Sequence, residues 1–390
     1  MEQCVLHIAL FLETSQVKMK LNCVFSKVDE YGFERPGLRN FFCCGFVCFL
    51  YERKVLSAIS AMISSFSKVD EYGFERPDDF DYKAYEAFMS RYMAILARRA
   101  IRWNLILTQQ SLPDGGTMKR FVRKGVPAQY RGKVWMMTSG ANFLKSRQPN
   151  LYQDLVGDIS HQSWDEIIQN DLNRTYPDNI YFVPSSDGKL NSLYNILRAS
   201  ARHNTSVGYC QGLNYVAGLL LIATKDEEQS FWLLTVLIRN ILPSYYSSNM
   251  QGLITDIAVL GELVRLKSSK LDRLLKDLNL PWPILVTKWF ICLFAEVLPV
   301  ETVLRVWDCM FNEGSKIIFR VALTLIKMNE KELLRCTDFG DMAELFKQIT
   351  RSSSVLDCHQ FIEAMFKLPG SLSSSKIDSL RVRFRQVNVR

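Results

Sequence analysis

The 390-residue chain lacks several features that mark large classes of proteins. No uninterrupted apolar run reaches the roughly 18 residues that a membrane-spanning helix needs. The richest apolar stretch, residues 284–298, is interrupted by Lys288 and Glu296, which favours a buried helix. Glu2 precedes the apolar residues 5–12, where a secretory signal would carry basic residues, so we expect no secretory leader.

The cysteines and histidines do not have the spacings that are typical of disulfide frameworks or metal sites. The 10 cysteines include no C-x-x-C pair, and five of them precede residue 50. This irregular spacing argues against a disulfide framework and predicts a reducing compartment, with the cytoplasm as the expected location. The four histidines are scattered, so no metal site is expected.

Motifs for binding nucleotides and nucleic acids are also missing. No G-x-x-x-x-G-K-[ST] loop occurs, so the chain is not expected to bind and hydrolyse a nucleotide by itself. Zinc fingers, basic zippers and aromatic ribonucleoprotein strands are absent from the sequence, so a nucleic-acid partner is not predicted.

Positive charge is concentrated in two segments of a chain whose net charge is +8. Residues 91–133 contain ten Lys and Arg against one acid, Asp114, and residues 371–390 contain five against Asp378. Such segments can bind phosphate groups, lipid headgroups or the acidic surface of another protein. A solvated helix surface is the favoured interpretation for most of these residues, and peripheral contact with endomembranes stays open.

The first part of the chain contains a literal repeat. The string FSKVDEYGFERP occurs at Phe25–Pro36 and again, unchanged, at Phe66–Pro77. Structural repeats diverge in sequence and stack in groups of three or more, so this pair indicates a recent duplication or a gene-model error. Residues 1–64 are therefore predicted to be an extension outside the folded unit.

The remaining sequence has the periodicity of helices, and alternating strand patterns are almost absent. Pro113–Gly116 predicts a loop, Gly125–Pro127 predicts a helix entry, and the spacing of Ser163 and Glu166 predicts a capped helix start. The sequence therefore predicts an all-α fold without a significant β-sheet. Helices are expected at 82–101, 163–174, 189–203, 210–223, 227–241, 251–266, 283–297, 301–311, 315–328 and 341–349.

Two short sequence motifs contain candidate site residues. The first, I-x-x-D-x-x-R, runs from Ile168 through Asp171 to Arg174, which is expected in the last turn of its helix. Taken alone, it is most simply explained by a local ion pair between Asp171 and Arg174. The second, Tyr209-Cys210-Gln211, lies between two glycines that allow a tight turn. Its simplest explanation is a helix start at which Gln211 satisfies free backbone amides.

Two further strings predict supporting structure. Arg131 and Trp135, in the pattern R-x-x-x-W, share one face of a helix, which favours a cation–π or packing role. The string Arg305-Val-Trp-Asp308 is expected to build a corner of the core.

The ordered set of strings is far more specific than any of its members. Gly125-Val-Pro with R-x-x-x-W, then I-x-x-D-x-x-R-T-Y-P, then Gly208-Tyr-Cys-Gln-Gly-Leu-Asn214, resembles the three signature motifs of TBC domains. These are all-helical GTPase-activating modules for Rab proteins. The strings KVDEYGFERPDDFDY, RRAIRW and RVWDCMFNEGSKIIFRVALTLIK also resemble one subgroup of the family.

The resemblance implies a domain plan and a site. It places a helical lead-in at 65–118, the core of the TBC-type multi-helix domain at 119–315, its C-terminal helices at 316–370 and a basic tail at 371–390. Arg174 and Gln211 would be the arginine and glutamine fingers inserted beside a partner's nucleotide. The supporting residues would be Asp171, Tyr209, Asn214, Arg131 and Trp135.

The implied activity is stimulation of GTP hydrolysis by a Rab-family GTPase in its GTP state, regulating vesicle trafficking. The chain would need no cofactor of its own, because the partner carries GTP and Mg²⁺. Two readings stay open beside it. One is a non-catalytic helical adaptor that binds a Rab or another trafficking partner, and the other is a nucleic-acid binder supported by the basic segment 91–133 alone.

Overall fold

The computed structural model describes residues 68–76, 78, 80–108, 113–158, 160–184 and 188–387. The predicted extension 1–64 and the first copy of the repeat lie outside these residues. Two compact units divide the chain. Among the described residues, the first unit comprises 68–108 with Pro127–Gln129, and the second comprises Pro113–Val126 with Tyr130 and the residues after it.

The first unit begins with a tight turn in the second copy of the repeat. Asp70 Oδ1 accepts hydrogen bonds from the backbone N–H groups of Tyr72 and Phe74 at 2.8 and 2.9 Å, and Gly73 takes a left-handed φ of 90°. Helix α1 follows at Tyr82–Thr108 and extends beyond the predicted end at residue 101. Its buried face includes Met89, Tyr92 and Met93.

The second unit consists of helices joined by turns and loops in its described residues. Its first helices are α2 Gly115–Lys124, α3 Arg131–Thr138, α4 Ala141–Arg147, α5 Leu151–Gly157, α6 Ser163–Leu172, α7 Leu190–His203, α8 Leu213–Thr224 and α9 Glu227–Val236. They are followed by α10 Gln251–Lys267, α11 Ser269–Asp277, α12 Trp282–Ile291, α13 Val300–Glu313, α14 Lys316–Met328 and α15 Glu330–Leu333. The last are α16 Phe339–Gln348, α17 Ser353–Leu356, α18 Cys358–Lys367 and α19 Ser374–Val387.

The all-α prediction is confirmed, since the described residues contain helices and isolated bridges such as Val69 to Glu75, but no strand. None of the helices in the described ranges combines the length and the apolar character needed to cross a bilayer. The core of the second unit lies around α8, α13 and α14, whose side chains are buried along nearly their whole length.

Several predicted boundaries are wrong, each for a local reason. Gly115 and Gly116 lie in α2 rather than in a loop, because Asp114 Oδ1 caps this helix by accepting from the N–H groups of Gly116 and Thr117. Gly125–Pro127 follows α2, and α3 begins only at Arg131. The helix predicted at 227–241 is α-helical to Val236 and continues as a π-helix, Leu237–Ile241.

A further boundary error concerns the helix predicted at 283–297. It ends at Ile291, and Leu293 and Phe294 take left-handed φ values of 51° and 63° although both side chains are fully buried. This break turns the carbonyl of Leu293 toward Trp307, whose Nε1 donates to it at 2.9 Å. Helical periodicity could not reveal the break, because the apolar residues on both sides of it are buried.

The basic segment 371–390 contains α19, which is attached to α10. Arg381 donates through Nε and Nη2 to the two carboxylate oxygens of Asp256, each at 2.7 Å, and Arg383 lies 3.1 Å from Glu262. In the other basic segment, Arg131 is buried, as the packing role predicted for it requires. Lys119 and Arg123 of α2 form ion pairs with Glu313.

Candidate functional site

Arg174 lies in a turn just beyond α6. The helix begins at Ser163 as predicted, but its cap forms one residue earlier, where the N–H of Gln162 donates to Asp165 at 2.9 Å. It ends at Leu172, so the prediction that Arg174 belongs to its last turn is wrong. A side chain that leaves from a turn can point away from the helix axis, and 47% of the Arg174 side chain is exposed.

Asp171 orients the guanidinium of Arg174. Its Oδ1 accepts from Nε at 2.8 Å and lies 2.7 Å from Nη2, and its carboxylate is buried. This contact raises the pKa of Arg174 above its ordinary value. The ion pair expected from the spacing is therefore present, and burial of the carboxylate makes it more than a surface pair.

Tyr209 holds the other carboxylate oxygen. Its hydroxyl donates to Asp171 Oδ2 at 2.6 Å, which joins the second sequence string to the first. Burial, followed by this bond to a carboxylate, raises the pKa of Tyr209 above its ordinary value. The hydroxyl therefore remains a donor across the physiological range.

Gln211 reaches Arg174 from the turn that precedes α8. Gly208 and Gly212 shape this turn, with left-handed φ values of 60° and 104°, and a Cβ at Gly208 would lie 3.1 Å from Trp164. With the amide oriented to satisfy both groups, Gln211 Oε1 accepts from Arg174 Nη2 at 2.7 Å and Nη1 at 3.2 Å. The structure thus brings the two predicted fingers together at an exposed surface.

The buried Asn214 links the turn that carries Arg174 to the turn that precedes α8. Its Nδ2 donates to Thr175 Oγ1 at 2.8 Å, and its Oδ1 accepts from the N–H of Gly212 at 3.1 Å. Thr175 in turn donates to the carbonyl of Asp171 at 2.7 Å. It is Asn214, rather than Gln211, that satisfies a backbone amide at the start of α8. Thr175 was not singled out from the sequence, although it directly follows Arg174.

Cys210, between Tyr209 and Gln211, has no activated thiol. It is buried, and burial raises its pKa to about 11, which disfavours the nucleophilic thiolate.

Arg131 and Trp135 lie in a different place, where α3 meets α13. Arg131 Nη2 donates to Glu301 at 2.8 Å and its Nε lies 3.4 Å from Asp308 Oδ1, while Trp135 Nε1 donates to the same oxygen at 2.9 Å. The Trp135 ring packs against Trp307 and Phe311, with ring centroids 6.1 and 5.0 Å apart.

This network joins the R-x-x-x-W string to the Arg305–Asp308 string. Arg305 lies 3.5 Å from Asp308 and donates to the carbonyl of Arg123 at 3.0 Å, which ties α2 to α13. None of these contacts involves Arg174 or Gln211. Arg131 and Trp135 therefore connect helices and make none of these contacts with the two candidate fingers.

The chemistry available at the exposed surface is that of a fixed cation beside an amide. The guanidinium of Arg174 can present planar N–H donors to phosphate oxygens. The amide of Gln211 can donate to one group and accept from another. The buried Asp171 and the half-buried Tyr209 hold the guanidinium from behind.

Comparison with known proteins agrees with the geometry. A family model described as Rab-GTPase-TBC domain matches residues 128–334. Growth hormone-regulated TBC protein 1 of Homo sapiens is 50% identical over 305 residues, which cover 78% of this chain and 91% of the relative. Growth hormone-regulated TBC protein 6 of Caenorhabditis elegans is 36% identical over 302 residues, covering 77% and 86%. These relatives confirm the resemblance to one subgroup that the longer strings indicated.

Two solved structures are similar in fold. The Chlamydomonas flagellar RabGAP TBC domain is 33% identical with a TM-score of 0.65, covering 76% of this chain and 98% of that domain. The Ypt/Rab-GAP domain of Gyp1p superposes with a TM-score of 0.61 at 20% identity, covering 70% and 98%, which supports the fold alone. The family model spans more than half of the sequence, and the human relative matches most of both chains. This chain belongs to the Rab-GTPase-TBC domain family.

Proposed function

We propose that the chain accelerates GTP hydrolysis by a Rab-family GTPase, supplying Arg174 and Gln211 in trans to the partner's nucleotide. One observation carries the proposal. A guanidinium and an amide from two separate segments meet at the surface, and a buried carboxylate holds the guanidinium in place. The partner would bring GTP and Mg²⁺, and its GTP-bound state would be the substrate, because only that state has a γ-phosphate to remove.

Each side chain has a distinct task in this mechanism. The N–H groups of Arg174 that donate to Gln211 in the free chain would donate instead to phosphate oxygens, where negative charge develops. The released amide of Gln211 would orient the attacking water. An arginine supplied in trans accelerates hydrolysis about 10³- to 10⁵-fold in well-studied GTPases. Asp171 and Tyr209 would keep the guanidinium aligned. The Arg174 side chain would therefore lose little conformational entropy on reaching the transition state.

Phosphate release from a panel of purified Rab proteins loaded with GTP tests the proposal. Wild type should accelerate release from at least one of them, whereas Arg174→Ala should lower that acceleration about 1,000-fold. Arg265→Ala is a matched control, because Arg265 is 49% exposed and pairs with Glu262 three residues before it, as Arg174 pairs with Asp171. Equal activity of Arg174→Ala and wild type would reject the arginine finger.

The same panel separates an activator from an adaptor. An adaptor would bind a Rab without changing its hydrolysis rate, and neither Arg174→Ala nor Gln211→Ala would alter any rate.

The proposal extends to peripheral contact with endomembranes in the cytoplasm. Its support is the basic segment 91–133, in which Lys124 and Lys133 are exposed. Co-sedimentation with vesicles containing anionic lipid should fall when both are changed to glutamate. Unchanged co-sedimentation, or none with wild type, would remove this part of the proposal.

A further inference from the structure

The turn that carries Arg174 is attached to α8 at three consecutive residues. The Tyr215 hydroxyl donates to the carbonyl of Arg174 at 3.2 Å, and Asn214 donates to Thr175. The Tyr176 hydroxyl donates to the carbonyl of Tyr215 at 2.9 Å and lies 3.3 Å from the carbonyl of Ala295. Because α8 also begins two residues after Gln211, one helix is attached to both candidate fingers.

Tyr176 occupies the most constrained position of the three. It is buried, and its backbone takes a left-handed φ of 49°, which is rare for a residue with a bulky side chain. Its ring lies nearly perpendicular to that of Tyr215, with centroids 5.4 Å apart. A backbone strained in this way persists only where its surroundings hold it.

Gly218 provides the space in which this ring lies. A Cβ at Gly218 would come within 3.1 Å of Tyr176 Cε2 and 3.3 Å of Cδ2. A contact that close forces one of the two groups to move, and the buried ring lies between α8 and the carbonyl of Ala295. Ala295 follows the break after α12, so the ring also connects the turn to that irregular segment.

We infer that Tyr176, seated against Gly218, is a positioning residue that sets where the Arg174 guanidinium stands relative to Gln211. The inference rests on the proposed function, since it assigns a support to the same two fingers. Tyr176 is buried, so it would not itself contact a partner. Its effect is therefore on alignment at the transition state rather than on docking.

The test is the kinetics of GTP hydrolysis by a responsive Rab, stimulated by the Gly218→Ala and Tyr176→Phe variants of this chain. Gly218→Ala displaces the ring, so kcat should fall about tenfold with KM within about twofold of wild type. Tyr176→Phe removes only the hydroxyl and should lower kcat about threefold. Gly261→Ala is the matched control, because Gly261 is also a helical glycine facing an aromatic ring, with its Cβ position 2.8 Å from Trp282 Cδ1.

The outcomes separate the inference from the function on which it rests. Unchanged kcat in Gly218→Ala, a loss confined to KM, or the same loss in Gly261→Ala would overturn the positioning role. Arg174→Ala is measured in parallel. If it abolishes activation while Gly218→Ala leaves kcat unchanged, only the inference fails; if it leaves activation intact, the finger mechanism itself fails. Circular dichroism and melting temperature establish that each variant is folded.

Discussion

Arg174 Nη2 and Gln211 Oε1 lie 2.7 Å apart, so each candidate finger is the other's hydrogen-bonding partner in the free chain. Both polar groups are thereby satisfied in the free chain, and in the proposed mechanism a nucleotide would replace this contact. Asp171 would still hold the guanidinium after Gln211 had moved away, since it contacts Nε as well as Nη2. The site is therefore largely ordered before a partner binds, which reduces the entropy lost on docking.

Arg174→Lys should remove most of the activation although the charge is kept. Lysine supplies a point charge without the planar fork, so it cannot donate to Asp171 and to phosphate in fixed directions. We expect a fall on the order of 100-fold or more in single-turnover phosphate release on a responsive Rab. Arg265→Lys serves as the control for a general effect of shortening an exposed arginine. A near wild-type rate for Arg174→Lys would reject the finger assignment.

Gln211→Ala should lower the rate more than the affinity. An amide that orients water acts mainly at the transition state, whereas the broad protein surface sets binding of the ground state. Turnover should therefore fall, and affinity for a Rab carrying a transition-state mimic of the γ-phosphate should be reduced but measurable. Both quantities are measured on one Rab. Intact turnover would mean that the GTPase uses its own glutamine.

Tyr209→Phe should lower kcat about tenfold without a change in KM. The hydroxyl bonded to Asp171 Oδ2 at 2.6 Å fixes the carboxylate that aligns Arg174, and a hydrogen bond to a charged group is among the stronger ones. Tyr152→Phe is the control, since the buried Tyr152 donates to Glu227 at 2.7 Å. The two variants should lose similar stability in denaturant titrations. Equal kcat for them would show that Tyr209 acts only on folding.

Arg131→Met should destabilise the fold while sparing the chemistry. It leaves the buried Asp308 without one of its cations, and breaking a buried ion pair typically costs about 3–5 kcal/mol. Arg305 still lies beside Asp308, so we expect the lower end of that range. Thermal unfolding should show a lower Tm, and kcat per folded molecule should match wild type. A specific loss of kcat at a temperature where the variant is folded would place Arg131 in the activating machinery.

Glu313 should make stability depend on pH in the acidic range. Burial raises its pKa, but Arg123, Lys316 and Lys119 outweigh burial and lower it to about 2. A carboxylate with a lowered folded-state pKa contributes stability above its unfolded pKa of about 4.3, and that stability is lost as the pH falls toward 2. Glu313→Gln should weaken this dependence in urea titrations between pH 5 and about 2.5. Glu344→Gln, at an exposed pair with Lys347, is the control and should change it little.

The helical class and the identity of the site follow from local patterns. The spacing of apolar residues reports which face of a segment is buried, and this was enough to predict most helices of the second unit. It missed six helices of seven or more residues: Gly115–Lys124, Ala141–Arg147, Leu151–Gly157, Ser269–Asp277, Cys358–Lys367 and Ser374–Val387. Such short helices are stabilised mainly by the surfaces on which they pack, and those surfaces belong to distant parts of the chain.

By itself, the sequence determined the helical class and the two strings that carry Arg174 and Gln211. Only the tertiary structure decided that Arg174 lies beyond its helix, that Tyr209 donates to Asp171 and that Asp308 is shared by Arg131 and Trp135. The physical reason is the range of the interactions. Periodicity and turn preference act over a few residues, whereas these hydrogen bonds join groups that become neighbours only when the helices pack.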